Sequence, residues 1–217
     1  MLGMRPDIIY AVNKVTQYST GYGNAHWTTV KWIFRYIKGT ADYTLVLGGY
    51  DNDLSGRNVR LTGACDADWA NDLDDRRSTT GYLFYINGGC ISWQIRKQTS
   101  VATSSTQAEY QALSTATKEA VWLRELLNEL RYAQTDPTPI YQDNQSTIAL
   151  AYNPVNHGRT KHIDIQHHFI RECVENRTIC LEYLPTKRMT VDVLTKALPR
   201  TKFEPCIENM GLMGPTE

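Results

Sequence analysis

The chain has no C-x-x-C pair, no low-complexity tract, no internal repeat and no excess of either charge, since 23 Lys and Arg balance 23 Asp and Glu. Each absence removes a class of protein. Zero net charge means that no global basic field draws in a polyanion, so any nucleic-acid contact must come from local clusters and bound cations. The five cysteines, Cys65, Cys90, Cys173, Cys180 and Cys206, are odd in number and unpaired by spacing. They supply neither a disulfide framework nor a thiolate zinc site, and they fit a reducing compartment. No apolar run reaches the ~18–20 residues of a spanning helix, and the start MLGMRPDIIYAV has no signal-peptide pattern. A soluble intracellular protein, cytoplasmic or nuclear and with no membrane partner, is expected.

What is present falls into three stretches. Residues 1–50 read as a helical appendage, with Ile8, Val12 and Val15 on one face and then Trp27, Val30, Ile33, Phe34 and Ile37 at spacings of three and four. A glycine-rich break between Ser19 and Asn24 separates two helices, and Leu45 to Leu47 reads as a short strand. The loop GGYDNDLSG marks a boundary at about 48–58. From residue 59 the pattern changes to strands: VRLTGACD, then STTGYLFYI and CISWQIR around Asn-Gly-Gly, a strong hairpin signal. A helix over about 106–130 follows, then a strand at 139–142, helices at about 145–152 and 163–176, the strand TICLEYLP and a helix at 190–198. Hairpins followed by strands alternating with helices give a mixed α/β domain over 59–198. The remaining residues, 199–217, carry two more prolines after Pro199 and little periodicity, and read as a frayed tail.

Four acids stand where strands end or helices begin: Asp66, Glu109, Asp143 and Asp192. Glu109 continues the apolar stripe Leu113, Ala116, Ala120, Leu123, Leu127 back by one turn, so a carboxylate takes a core-facing position. There it costs several kcal/mol unless paired or bound to metal. A capping box, Thr106-x-x-Glu109, is the plainer explanation. Asp66 also reads as a turn residue, Asp143 as a helix cap and Asp192 as an acid favoured by a helix dipole. Strand C-termini and the helix starts that follow them share one edge of an open α/β sheet, where ligands bind. Taken together, the four predict a divalent-metal site.

The segments ACDADWAND, RRSTTGYLFYINGGCISWQIRKQTSVATSSTQAEYQAL, YQDNQSTIAL, RTKHIDIQHHFIREC and LEYLPTKRMTVDVLTKAL closely resemble the ribonuclease H region of copia-type LTR-retrotransposon polyproteins. RPDIIYAVNKVTQYSTGYGNAHWTTVKWIFRYIKGTADYTL resembles the connection that follows their reverse transcriptase. The resemblance covers roughly residues 5 to 212. It implies a ribonuclease H-like mixed five-stranded sheet flanked by helices, with the N-terminal helical appendage. It also implies that Asp66, Glu109, Asp143 and Asp192 hold two Mg²⁺ ions, with Mn²⁺ as an alternative, and hydrolyse the RNA strand of an RNA–DNA hybrid. Asp68, in the same tripeptide as Asp66, is set aside. The reverse-transcriptase part of the same polyprotein is the implied protein partner. The chain has no Tyr-x-Asp-Asp motif, so no polymerase activity is expected. Gln145 matches a minor-groove contact, and Asn144, Ser104 and Ser105 are further candidates for the nucleic acid, although helix capping explains them as well. Many cellular relatives carry a histidine before the last acid, where this chain has Thr186-Lys-Arg-Met-Thr-Val.

The four acids are expected within roughly 4–8 Å of one another, the span that paired ions need, with Asp164 outside. His157, His162, His167 and His168 read as surface or packing residues, and Asp72, Asp74 and Asp75 as a solvated turn. Lys31, Arg35 and Lys38, interleaved with Trp27, Trp32 and Tyr36, fit either a backbone-gripping helix or an ordinary packed one. A catalytically silent fragment that binds nucleic acid or protein is the alternative to the nuclease. A transposase-like enzyme is disfavoured, because Glu109 lies on the first long helix after the hairpins.

Overall fold

The computed structural model of the protein describes residues 4–48, 59–153 and 161–215, in the last of these with side chains from residue 165 onward. The linker expected at 48–58 lies, save for its first residue, outside them, as do His157 and the side chains of His162 and Asp164. The centre of the molecule is β2 (Leu61–Asp68), buried on both faces. Its run of small residues, Gly63, Ala64, Cys65 and Ala67, lets layers close in from either side. β3 (Thr79–Ile86) and β4 (Gly89–Lys97) continue the sheet antiparallel, and β5 (Thr138–Gln142) and β6 (Ile179–Tyr183) add parallel strands beyond β2, giving the order β4-β3-β2-β5-β6. This is the mixed five-stranded sheet the resemblance implies.

Local chemistry explains the connections. The β3–β4 turn is Asn87-Gly88, with φ of 48° and 80°. Positive φ at both central residues is the two-residue turn whose twist matches the flanking strands, and asparagine and glycine adopt it at least cost. The long helix α3 (Ser105–Glu129) starts at Ser104, whose hydroxyl accepts from the Gln107 amide at 3.2 Å. Its stripe Ala108, Leu113, Ala116, Ala120, Leu123 and Leu127 is buried against one sheet face, joined by Ala151 of α4 (Gln145–Tyr152) and Ile170 and Cys173 of α5 (Lys161–Glu175).

The opposite face is covered by both ends of the chain. A 3-10 turn at Pro6–Ile8 runs into α1 (Ile9–Thr16), which is followed by α2 (Asn24–Gly39) and the two-residue β1 (Thr44–Leu45). Ile9 packs with Ala64, Leu83, Met189, Val191 and Leu194. The C-terminal stretch differs from the expected frayed tail. Residues Arg200–Asn209 form α7, and β7 (Leu212–Met213) pairs antiparallel with β1. Phe203, Cys206, Ile207 and Met210 recur at helical spacing, and the last three are buried. Pro199 caps this helix from outside, while Pro205 lies inside it. An internal proline costs a helix about 3 kcal/mol, less than burying several apolar side chains at about 1.5–3 kcal/mol each returns.

The helix expected at 190–198 is a single turn, α6 (Asp192–Thr195). It presses on β3 at Gly81, where a Cβ would come within 2.7 Å of the Thr195 methyl. Glycine at that position is what lets α6 approach the sheet. The backbone turns extended at Lys196, which sends that side chain back towards the sheet edge.

Candidate metal centre

At the edge formed by the ends of β2 and β5, Asp66, Glu109 and Asp143 each offer a carboxylate oxygen, all within 4.8 Å of one another. Asp66 and Glu109 are buried and Asp143 partly so. Three elements distant in sequence converge here: a central strand, the first turns of α3, and the residue just after β5. Among the described residues no other group of three His, Cys, Asp or Glu side chains could share one ion.

Glu109 does not cap its helix, the plainer explanation raised by its sequence context. Its Oε2 accepts from the Ala67 amide at 3.0 Å and from Gln142 Nε2 at 3.2 Å. Capping is done by Ser104 and by Gln107, whose Oε1 accepts from both the amide and hydroxyl of Thr103 at 2.7 Å. Burial, followed by the neighbouring charges of Asp66 and Asp143, pushes the Glu109 carboxyl well above the usual carboxylate range. Burial raises Asp66 too, against the opposing pull of the Lys196 ammonium. Three crowded carboxylates, two of them buried, favour positive charge between them.

Asp192 is not among the acids that could share that ion. It is fully buried, but one oxygen accepts from Lys196 Nζ at 2.9 Å and the other from Lys202 Nζ. The same Lys196 ammonium donates to Asp66 Oδ1 at 3.0 Å, and the Thr195 hydroxyl donates to Asp66 Oδ2. The expected quartet is therefore three gathered carboxylates and a fourth joined to Asp66 through one ammonium. Burial opposes the charge on Lys196, yet Asp66 and Asp192 hold its pKa above the usual lysine value.

Lys196 and Thr195 were not singled out from the sequence, nor were three further contributors. Gln142 is fully buried, and while its Nε2 holds Glu109 its Oε1 accepts from the amides of Asp143 at 2.7 Å and Asn144 at 3.0 Å. One side-chain amide thus fixes two of the acids relative to each other. Thr186, in the loop before Asp192, donates to Asp143 Oδ2 at 2.6 Å. Lys202 comes from α7, the stretch read as tail. A glutamine beside Asp143 and lysines after Asp192 are visible in the sequence, but nothing local says that their side chains turn inward.

The other candidates are placed as follows. Ser104 and Asn144 cap α3 and α4, Asn144 Oδ1 accepting from the Thr147 amide at 3.0 Å. Ser105 and Gln145 are exposed on the first turns of those helices, near the trio in sequence. Asp68 Oδ2 is occupied by Asn71 Nδ2 at 2.7 Å. His167 stacks on Tyr110 with ring centroids 4.0 Å apart, a packing role. The acidic turn is pinned by Lys97, whose ammonium lies 2.7 Å from Asp72 and 3.0 Å from Asp75.

No protein-family model matches the chain. Against curated proteins it is 44% identical over 212 residues to the retrovirus-related Pol polyprotein from transposon TNT 1-94 of Nicotiana tabacum, covering 98% of this chain and 15% of that protein. It is 38% identical over 209 residues to the Pol polyprotein from transposon RE2 of Arabidopsis thaliana, covering 96% of this chain and 14% of the relative. Among solved structures, LC11-RNase H1 in complex with an RNA/DNA hybrid aligns with a TM-score of 0.46 at 12% identity, over 63% of this chain and 94% of that one. The chain belongs to the family of copia-type retrotransposon Pol polyproteins. It spans about one seventh of the length of those relatives.

Proposed function

We propose that the protein is a metal-dependent endonuclease that hydrolyses the RNA strand of RNA–DNA hybrids. The observation that carries this reading is the meeting of Asp66, Glu109 and Asp143 oxygens within 4.8 Å at one sheet edge. The donor set is all oxygen, which suits Mg²⁺ or Mn²⁺ rather than zinc. The trio would hold one divalent ion, and Asp66 with Asp192 would hold a second. When bound, such ions supply an activated water and stabilise the departing 3′ oxygen of a phosphodiester.

The chain's own residues do the rest. Gln142 and the Ala67 amide keep Glu109 aimed at the cluster, and Thr186 orients Asp143. Gln145 and Ser105, exposed on the first turns of α4 and α3, would meet the minor groove and 2′-hydroxyls that distinguish a hybrid, with Asn144 and Ser104 capping the helices that carry them. The five cysteines are free, consistent with work inside the cell, in cytoplasm or nucleus. Within the whole polyprotein, the reverse transcriptase would supply the hybrid. Among the described residues no helix is long and apolar enough to cross a membrane.

A labelled RNA–DNA hybrid incubated with Mg²⁺ tests the reading. The parent should cut the RNA strand, leave duplex DNA intact, and lose activity in Asp143→Asn; a parent no faster than that variant would end the nuclease assignment. A silent nucleic-acid or protein binding module is the second reading. It draws on the two lysines that already neutralise Asp192.

A further inference from the structure

The helix α2 carries no acidic residue among its 16, and no residue of it is buried. Its outward surface interleaves cations with rings: Trp27, Trp32 and Phe34 are 56%, 61% and 64% exposed, and Lys31, Arg35 and Lys38 stand between and beside them. The Arg35 guanidinium lies 4.6 Å from the centre of the Trp32 ring. An ordinary amphipathic helix would turn such rings inward, whereas here the helix start is locked so that they face out. The His26 ring stacks on Tyr18 at 4.2 Å and accepts the Gly23 amide at 2.9 Å.

An open groove of about 720 Å³ lies between α2 and the segment that carries Lys196, lined by Trp32, Tyr36, Tyr10, Phe203, Arg200 and Lys196. Lys196 is the residue whose ammonium touches Asp66 and Asp192. The acids along the groove are already answered, Asp7 by Arg5 at 2.8 Å and Glu204 by Arg200 at 2.6 Å. The groove's cations Lys196 and Arg200 are matched in the same pairs, whereas Lys31, Arg35 and Lys38 of α2 form no ion pair among the described residues.

We propose that α2 is a binding arm for a single-stranded extension of the hybrid, RNA or DNA, continuing from the duplex seated at the carboxylates. Bases would stack on Trp27, Trp32 and Phe34, and Lys31, Arg35 and Lys38 would meet successive phosphates. Rings with interleaved cations favour single strands, because every base offers a face to stack and every phosphate a charge. The inference rests on the nuclease reading for its choice of nucleic acid.

The test is fluorescence anisotropy on the full chain, with Ca²⁺ in place of Mg²⁺ to suppress cutting. It compares a blunt hybrid with the same hybrid bearing a single-stranded overhang of RNA or of DNA at either end. One overhang should tighten binding by the parent. Trp27→Ala, Trp32→Ala and Phe34→Ala should each cost about fivefold or more of that gain, and Lys31→Gln and Arg35→Gln should each lower the salt slope by about 0.7. Blunt-hybrid affinity should change little, and circular dichroism should be that of the parent. If no overhang tightens binding, or the variants keep the full gain, the arm is refuted and the exposed face belongs to another part of the polyprotein. Cleavage of blunt hybrid in Mg²⁺ would then leave the nuclease reading standing. Overhang-dependent binding without any cleavage would keep the arm and remove the nuclease. A parent that binds neither hybrid overturns the arm.

Discussion

Gln142 is the residue on which the geometry of the trio turns, because one buried amide serves Glu109 and the backbone amides of Asp143 and Asn144 together. Replacing it with leucine keeps the volume but strands those partners in a dry environment, where an unsatisfied group costs about 1–3 kcal/mol. Gln142→Leu should therefore lose roughly 2–4 kcal/mol of stability in urea titration and weaken Mg²⁺ binding at least about tenfold by calorimetry. Gln142→Glu, which keeps the acceptor and loses the donor, should recover part of the stability but not the ion affinity. Equal Mg²⁺ affinity in parent and Gln142→Leu would show that the amide does not position the acids.

Lys196 has the reverse relation to the site, as a resident cation where an ion is expected. Lys196→Met leaves Asp66 without its ammonium and Asp192 with Lys202 alone, and breaking a buried pair costs about 3–5 kcal/mol. Melting without metal should fall accordingly, and Mg²⁺ should raise the variant's melting temperature by more than it raises the parent's. If Mg²⁺ stabilises both equally, Lys196 does not occupy an ion position. The sequence shows all four acids and their core-facing context, but it shows no lysine folding back. That depends on the backbone leaving α6 at Lys196, a tertiary matter.

At the level of elements, the legible parts were those with strong local chemistry. Asn87-Gly88 announces its hairpin, and the stripe from Leu113 to Leu127 announces α3, whose expected bounds of about 106–130 lie within a residue of Ser105–Glu129. α7 is hidden in the sequence by two prolines after Pro199, Pro205 and Pro215, and by weak periodicity, although Phe203, Cys206, Ile207 and Met210 keep helical spacing. Only the opposite sheet face, with Leu83 and Cys90 waiting to be covered, shows why that helix forms. Met210 is fully buried there, so Met210→Ala should destabilise by about 2–5 kcal/mol in urea titration. Ending the chain after Pro199 should do far more, since it removes Cys206, Ile207, Met210 and Leu212 together. At about 1.5–3 kcal/mol per buried side chain, that approaches the whole stability of a domain. A truncated chain with the parent's unfolding midpoint would contradict the place given to α7 in the core.

For the whole molecule, the decisive quantity is how folding, protons and metal compete for the same carboxylates. Glu109 and Asp66 are both raised above the usual carboxylate range, chiefly by burial. A group whose pKa is higher folded than unfolded contributes stability that is complete below its unfolded pKa and is lost as pH rises through its folded pKa. In chelator, unfolding free energy should therefore decline as pH is taken from about 5 to about 9, and Glu109→Gln should flatten the decline by removing the larger of the two shifts. A divalent ion reverses the preference, because it binds the charged forms and adds RT ln(1 + [Mg²⁺]/Kd), about 2.7 kcal/mol at a hundred times Kd. Saturating Mg²⁺ should then level or invert the pH profile. Calorimetry near neutral pH in buffers of different ionisation enthalpy should show protons released as the ion binds. A metal-free stability that climbs with pH over that window, or an ion that binds with no proton release, would mean that the trio is not the buried, charge-starved cluster its geometry describes.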